Sequence, residues 1–137
     1  MKIYIGADHA GYKLKEHLKK EFNLIDLGNT KLNKKDNYPD FAKKVSKKIK
    51  KENNSLGILI CGSGQGMCMA ANKEKKIRAS LGYSTKATKI SRKDNDSNIL
   101  CLAARELNKK QTFKIVNTFL KTPFSKLKRH QKRIKKI

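Results

Sequence analysis

Cys61 stands where an apolar run meets a glycine-rich turn. The run, residues 56–60, has no polar side chain and predicts a strand buried on both faces. The turn, residues 62–66 (GSGQG), leads into 67–72, which is typical of the start of a helix. Backbone N–H groups and the positive end of the helix dipole would then point at one place, which suits an anion. The same fields favour a thiolate, so Cys61 is predicted to be reactive.

Three kinds of glycine loop compete for this turn. A dinucleotide loop needs a third glycine where Met67 stands and a carboxylate about twenty residues on, yet 81–84 offers none. An ATP-type P-loop ends in Gly-Lys-Ser/Thr, which is absent. A loop for a sugar phosphate and an oxyanion, beside a cysteine acid/base, uses Cys61, the glycines and the pair Asp8-His9 together. We favour this third interpretation.

The elements that must position these residues alternate between strand and helix. We predict strands at 2–7, 23–27, 56–61, 77–81 and 98–103, and helices at 12–22, 39–51, from 67 onward, 84–93 and 109–120, with a basic C-terminal helix at about 124–137. Such alternation predicts an α/β fold: one three-layer α/β/α Rossmann-like domain over 1–137 with a five-stranded parallel sheet. Ligands bind beyond the carboxyl ends of such strands, so Asp8, His9 and Cys61 should converge there.

The formal charge of +23 is the strongest compositional feature. Only five of the 34 basic residues are arginine, and the lysines are spread over the whole chain. Readers of bases and phosphates rely on arginine, so we interpret the charge as a lysine-rich surface that binds polyanions nonspecifically at low salt. No apolar run is long enough to span a membrane, and residues 1–6 lack the layout of a signal peptide. Three cysteines without a Cys-x-x-Cys pair fit a reducing cytoplasm.

Several short motifs occur in one order along the chain and together carry a resemblance. They are Gly6-Ala7-Asp8-His9-Ala10-Gly11, Asp36-Asn37-Tyr38-Pro39-Asp40, Ile60-Cys61-Gly62-Ser63-Gly64-Gln65-Gly66, Ala70-Ala71-Asn72-Lys73, Ile77-Arg78-Ala79, Ser91-Arg92-x-x-Asn95-Asp96-x-Asn98 and Arg129-His130-x-x-Arg133. In this order they resemble type B ribose-5-phosphate isomerase, within the wider family that includes galactose-6-phosphate isomerase subunits. The cysteine loop and the Asp-His strand end are the specific parts.

The resemblance implies an aldose–ketose isomerase that interconverts ribose 5-phosphate and ribulose 5-phosphate through an enediolate, in the non-oxidative pentose phosphate pathway. It implies Cys61 as the base and Ser63 as a hydroxyl partner of O1 and O2, without cofactor or metal. It also implies a homodimer, possibly a tetramer, with active sites shared between subunits. The substrate-binding residues implied are Asp8, His9, Gly62, Ser63, Gly64, Gln65, Gly66, Asn95, Arg105, Arg129 and Arg133.

Asp94 departs from the resemblance, since the related enzymes commonly carry a histidine there that helps to open the furanose ring. An ionised aspartate is a poor acid for a ring oxygen, although it can act as a base on the anomeric hydroxyl. We therefore expect Asp94 to be catalytic but ring opening to be altered.

Two other functions stay open. One is an isomerase of another aldose phosphate, such as a six-carbon sugar phosphate, because one loop does not fix the chain length of the sugar. The other is a non-catalytic basic module that binds nucleic acid or sugar phosphate. The intact Cys61 loop and the scarcity of aromatic side chains for stacking on bases disfavour this second function.

Overall fold

The sheet contains five strands, all parallel, in the order β2-β1-β3-β5-β4. These descriptions come from a computed structural model that covers residues 1–137. The strands are β1 (Lys2–Ala7), β2 (Ile25–Asp26), β3 (Ser55–Cys61), β4 (Ala79–Leu81) and β5 (Ile99–Ala103). The predicted α/β fold with a five-stranded parallel sheet is confirmed.

The chain forms six helices, two of which begin at a side-chain cap. They are α1 (Tyr12–Glu21), α2 (Tyr38–Lys51), α3 (Gln65–Ala71), α4 (Thr85–Asn95), α5 (Lys109–Lys121) and α6 (Lys128–Ile134). The Ser84 side chain caps α4, and Asn108 with Gln111 forms a capping box at the start of α5. None of the six is both long and apolar enough to cross a membrane.

The core forms two layers, one on each face of the sheet. Phe41 and Val45 of α2 pack with Met67 of α3 on one face. Leu18 of α1 and Phe119 of α5 pack on the other. Every residue of β3 and β5 is buried, as expected for strands covered on both sides. The three-layer α/β/α arrangement is thereby confirmed.

The register of the central strands brings their carboxyl ends to one edge of the sheet, which we call the carboxyl edge. Ala7 pairs with Ile60, and Cys61 pairs with Ala103. The amide of Asp8 continues the ladder by donating to the carbonyl of Ile60 at 3.2 Å. The opposite edge, where β5 begins at Ile99, is called the amino edge.

The outermost elements are shorter than the sequence predicts. The predicted strand at 23–27 contains only two paired residues, and the one at 77–81 only three. The predicted basic helix at 124–137 forms only over Lys128–Ile134. Strands β2 and β4 are the two edge strands of the sheet, and the helix lies near the C-terminus, where its ends have few apolar contacts.

Candidate active site

Cys61 is the last residue of β3, and its side chain is 5 % exposed. The amide N–H of Gly64 donates a hydrogen bond to the Cys61 sulfur, with 3.2 Å between N and Sγ. Gly64 makes this contact with a φ of +74°, in the left-handed region that favours glycine. The glycine at position 64 therefore allows a main-chain N–H to reach the Cys61 sulfur.

Several backbone amides of the turn have no partner within the protein. The N–H groups of Gly62, Ser63, Gly66 and Met67 donate no hydrogen bond to any protein atom, whereas Gln65 N–H donates to Ser63 Oγ at 3.3 Å. Ser63 and Gln65 are both exposed. The turn therefore presents free donors and one hydroxyl next to the cysteine, which is a suitable environment for an oxyanion.

Two side chains lie directly on the glycines of the turn. The guanidinium of Arg105 lies over Gly62, because a Cβ built there would be 2.9 Å from an Arg105 nitrogen. The Arg105 amide also donates to the Gly62 carbonyl at 3.0 Å. The ring of Tyr38, at the start of α2, lies in the same way over Gly66. The turn thus has a cation at its start and an aromatic ring at its end.

Asp8 and His9 lie beside Cys61 at the carboxyl edge, as predicted. Asp8 Oδ1 accepts from the amide of Gly11 at 3.1 Å, which leaves Oδ2 without a protein partner. His9 is held by Asp36 through its backbone N–H at 3.0 Å and its ring Nδ1 at 2.7 Å. Asp8, His9 and Asp36 offer three possible metal-ligand atoms within 4.8 Å of one another. Hydrogen bonds account for the proximity of His9 and Asp36.

Asp94, Asn95, Arg129 and Arg133 belong to the other end of the fold. Asp94 and Asn95 end α4 at the amino edge, immediately before the turn into β5. The amide of Ser125 donates to the carbonyl of Lys93 at 3.0 Å, which ties the C-terminal segment to the end of α4. Helix α6, which carries both arginines, packs on α4. Its His130 is 6 % exposed, with Nε2 3.7 Å from Asp94 Oδ1.

The predicted site residues therefore form two groups within one chain. The carboxyl-edge group contains Asp8, His9, Cys61, Gly62, Ser63, Gly64, Gln65, Gly66 and Arg105. The amino-edge group contains Asp94, Asn95, Arg129 and Arg133. The length of β5 alone separates them by about 13 Å, at roughly 3.3 Å per residue. Arg105 is thus the only one of the three implied substrate-binding arginines next to Cys61 in the same chain.

A cavity of about 970 Å³ lies beside β4 and reaches the amino-edge group. Asn95 and Ile134 line it, together with basic residues of 73–78, and no residue of the cysteine turn contributes. It therefore does not by itself hold a substrate against Cys61.

Cys101 and two of the arginines have structural surroundings. Burial raises the pKa of the Cys101 thiol well above its usual value, so Cys101 is an unreactive part of the core. Arg78 and Arg92 both pair with Asp96, at 2.9 and 3.0 Å. Both arginines therefore act as structural ion-pair formers.

Comparison with known proteins identifies the family of this chain. A family model described as Ribose/Galactose Isomerase matches residues 3–137. This chain belongs to that family. A relative from Mycoplasma genitalium, named probable ribose-5-phosphate isomerase B, is 48 % identical over 98 % of this chain and 92 % of its own length. Ribose-5-phosphate isomerase B of Mycobacterium tuberculosis is 37 % identical, covering 98 % of this chain and 86 % of the relative.

Solved structures of the family superpose on almost the whole chain. The crystal structure of ribose-5-phosphate isomerase B from M. genitalium with bound ribulose 5-phosphate has a TM-score of 0.91 and 47 % identity, covering 98 % of this chain and 92 % of that one. The enzyme from Thermotoga maritima has a TM-score of 0.90 and 40 % identity, covering 98 % and 95 %. The predicted Rossmann-like fold and family are confirmed.

Two residues of the carboxyl edge were not predicted as site residues from the sequence. Asp36 had no assigned role, but its carboxylate holds His9. Tyr38 had no assigned role, but its ring lies over the turn. Both residues belong to the Asp36–Asp40 motif, which was the only signal in the sequence. Because this motif lies far from Cys61 along the chain, the sequence did not indicate that the two segments meet.

Proposed function

We propose that this protein is an aldose–ketose isomerase that interconverts ribose 5-phosphate and ribulose 5-phosphate. The observation that carries the proposal is the Cys61 sulfur bonded to the Gly64 amide, in a turn whose other amides are free. The printed names of the family relatives, and the ribulose 5-phosphate bound to one of them, support the choice of substrate. We further propose that the chain acts as one catalytic domain in the cytoplasm, without metal or cofactor.

The proposed base is the Cys61 thiolate. In the open-chain aldose it removes the proton from C2, the electron pair forms the C1=C2 bond, and O1 becomes the oxyanion of an enediolate. Free amides of Gly62, Ser63 and Gly66 stabilise this charge, an effect typically worth about 3 kcal/mol per donor. The Ser63 hydroxyl passes the proton of O2 to O1, C2 becomes the carbonyl, and the Cys61 thiol returns its proton to C1.

The phosphate end of the substrate is proposed to bind cations. Arg105 contributes from the carboxyl edge of the same chain, beside Gly62, and His9 follows β1 at the same edge. Guanidinium groups suit a phosphate dianion because their parallel N–H donors match its oxygens. The remaining proposed cations, Arg129 and Arg133, belong to the amino edge.

A homodimer with shared sites is proposed to join the two groups of residues. The amino-edge group of one subunit would then face the cysteine turn of its partner. This proposal is supported by the separation of about 13 Å along β5, which keeps Asp94, Asn95, Arg129 and Arg133 away from Cys61 within one chain. A closed two-fold assembly forms two equivalent sites of this kind.

The test is a coupled assay of the purified protein on both pentose 5-phosphates, with Cys61→Ala as the matched variant. We expect turnover of both sugars by the natural protein. In Cys61→Ala we expect loss of solvent-hydrogen exchange at C1 and C2 while the sugar still binds. Exchange that survives in Cys61→Ala at the natural rate would refute Cys61 as the base. Turnover of six-carbon phosphates in place of pentose phosphates would refute the proposed substrate.

A further inference from the structure

Asp36 holds His9 at two points, and the catalytic proposal does not explain this double contact. A single oxygen, Asp36 Oδ1, accepts from the His9 backbone N–H at 3.0 Å and from ring Nδ1 at 2.7 Å. A carboxylate only accepts hydrogen bonds, so the Nδ1 of His9 must carry the hydrogen. The other ring nitrogen, Nε2, has no protein partner.

The position of Asp36 is itself fixed by further hydrogen bonds. Its side chain is 6 % exposed, and its second oxygen accepts from the Asn29 side-chain amide at 2.6 Å. The backbone carbonyl of Asn29 in turn accepts from Lys15 Nζ at 2.9 Å. Lys15 is fully buried, and its ammonium also binds Glu16 and Asp26. A chain of hydrogen bonds therefore anchors the 28–36 loop to α1, with His9 at its outer end.

We propose that Asp36 is a positioning residue, which holds His9 as the Nδ1–H tautomer so that Nε2 faces the bound sugar phosphate. In the neutral ring, Nε2 accepts from a sugar hydroxyl; in the protonated ring, it donates to a phosphate oxygen. This inference rests on the proposed function for the identity of the ligand. The arrangement is informative because neutral histidine in water favours the opposite tautomer, with hydrogen on Nε2.

The first test is NMR of ¹⁵N-histidine-labelled protein at a pH about two units above the ordinary histidine value, where the ring is neutral. The chain has three histidines, and His9→Gln assigns the resonances of His9. We expect a protonated, pyrrole-type Nδ1 and an unprotonated, pyridine-type Nε2 for His9. A protonated Nε2 in the natural protein would overturn the proposal.

The second test measures binding of ribose 5-phosphate by titration, in the Cys61→Ala background so that the sugar is not turned over. We expect the His9 Nε2 resonance to move and that of His17 to stay. In Asp36→Ala, the hydrogen of the His9 ring should no longer be confined to Nδ1. Binding should weaken by about tenfold, which is the effect of losing one hydrogen bond to a charged group. Asp36→Asn keeps an acceptor oxygen and should recover part of this affinity.

The matched control is Asp40→Asn, which removes one negative charge from the same segment without touching His9. We expect it to leave both tautomer and affinity unchanged. Asn29→Ala, which removes only the support of Asp36, should keep the tautomer and weaken binding by less than Asp36→Ala. Unchanged affinity in folded Asp36→Ala would overturn the inference while leaving the isomerase proposal intact. Because binding does not require turnover, the titration decides the inference even in a protein that isomerises neither pentose phosphate.

Discussion

The ring of Tyr38 lies across Gly66, so close that a Cβ on residue 66 would be 2.6 Å from the ring Cζ. Tyr38 is 39 % exposed and begins α2, whereas Gly66 lies in the first turn of α3. The ring therefore closes one side of the turn that begins at Cys61. Its place there requires a glycine, since any side chain would displace it.

We predict that Gly66→Ala and Tyr38→Leu each raise the KM for pentose phosphate, by about fivefold, because each removes the same wall of the site. Residues in direct contact are coupled, so the double variant should be no worse than the poorer single one. Steady-state kinetics of the four proteins measures this coupling. Fully additive losses in the double variant would show that the ring and the glycine act separately.

Gly64→Ala should damage both the fold and the chemistry. Its φ of +74° is strained for alanine, and the new Cβ would lie 2.6 Å from Leu81 Cδ1 and 3.1 Å from the Leu102 backbone. We expect a loss of about 2–3 kcal/mol in the free energy of unfolding. A displaced amide would also lose its bond to Cys61, so kcat should fall by about a hundredfold.

Gly82→Ala is the matched control for Gly64→Ala. Its Cβ would also be crowded, 2.6 Å from Leu100 Cδ1, but its neighbours are side-chain atoms and its φ is not in the left-handed region. We expect lower stability, with kcat per folded molecule nearly unchanged. Equal losses of kcat in the two variants would contradict the role of the Gly64 amide. Denaturant unfolding and kcat on the same preparations provide the comparison.

The central part of the fold was predictable because burial determines it. The apolar runs that became β3 and β5 have no polar residue within them, so the hydrophobic pattern alone predicted them as buried strands. The junction at Cys61 followed too, since the glycines end the strand. The same pattern is a weaker guide at single helix positions, since Phe113 of α5 is 39 % exposed and stacks on Phe22.

The parts that were not predictable depend on contacts between distant segments. A lysine in an amphipathic helix is expected in solvent, yet Lys15 is fully buried because Asp26 and the Asn29 carbonyl meet its ammonium there. Asp36 reaches His9 across 27 positions of the chain. Periodicity reports which face of an element is apolar, but not which polar groups become partners in the folded protein.

Glu52 should contribute to stability in a pH-dependent way. Hydrogen bonds, first from Lys48 and then from Tyr4, lower the pKa of Glu52 from 4.5 to about 2. A lowered pKa in the folded state stabilises the protein above the unfolded-state pKa, and this is lost as the pH falls toward the folded-state value. The natural protein should therefore have a higher urea midpoint than Glu52→Gln. This difference should be largest above about pH 5 and should vanish toward about pH 2.

Glu106→Gln is the control for this pH dependence, because Glu106 is exposed and forms no ion pair. Its urea midpoint should follow that of the natural protein over the same pH range. A Glu52→Gln difference that stays constant between about pH 5 and about pH 2 would contradict the assignment of Lys48 and Tyr4 as the cause.

If the active site is shared between subunits, two inactive variants should restore each other's activity when they are refolded together. Cys61→Ala lacks the base, whereas Arg129→Ala/Arg133→Ala lacks the amino-edge cations. If subunits reassort at random after refolding together, half of the dimers are mixed, and each of these has one intact site. The mixture should then recover about a quarter of the natural activity.

Each variant refolded alone is the control for the mixture and should stay inactive. Activity of the mixture no higher than the mean of the separate variants would show that each site is built within one chain. Size-exclusion chromatography of the same samples checks that both variants form dimers, so that a failure to associate is recognised.

Asp94→His should change the two directions of the reaction unequally. Ribose 5-phosphate is mostly a closed furanose, whereas ribulose 5-phosphate cannot close such a ring because its O5 is phosphorylated. A histidine at 94, next to His130, would supply a proton to the ring oxygen that an ionised carboxylate cannot supply. Since the equilibrium constant fixes the ratio of the two kcat/KM values, the comparison uses kcat at saturating sugar. We expect kcat from ribose 5-phosphate to rise much more than kcat from ribulose 5-phosphate.

Asp94→Asn, which removes the charge without adding a proton donor, should produce no such rise. Equal changes in both directions for Asp94→His would remove ring opening as the step that residue 94 controls.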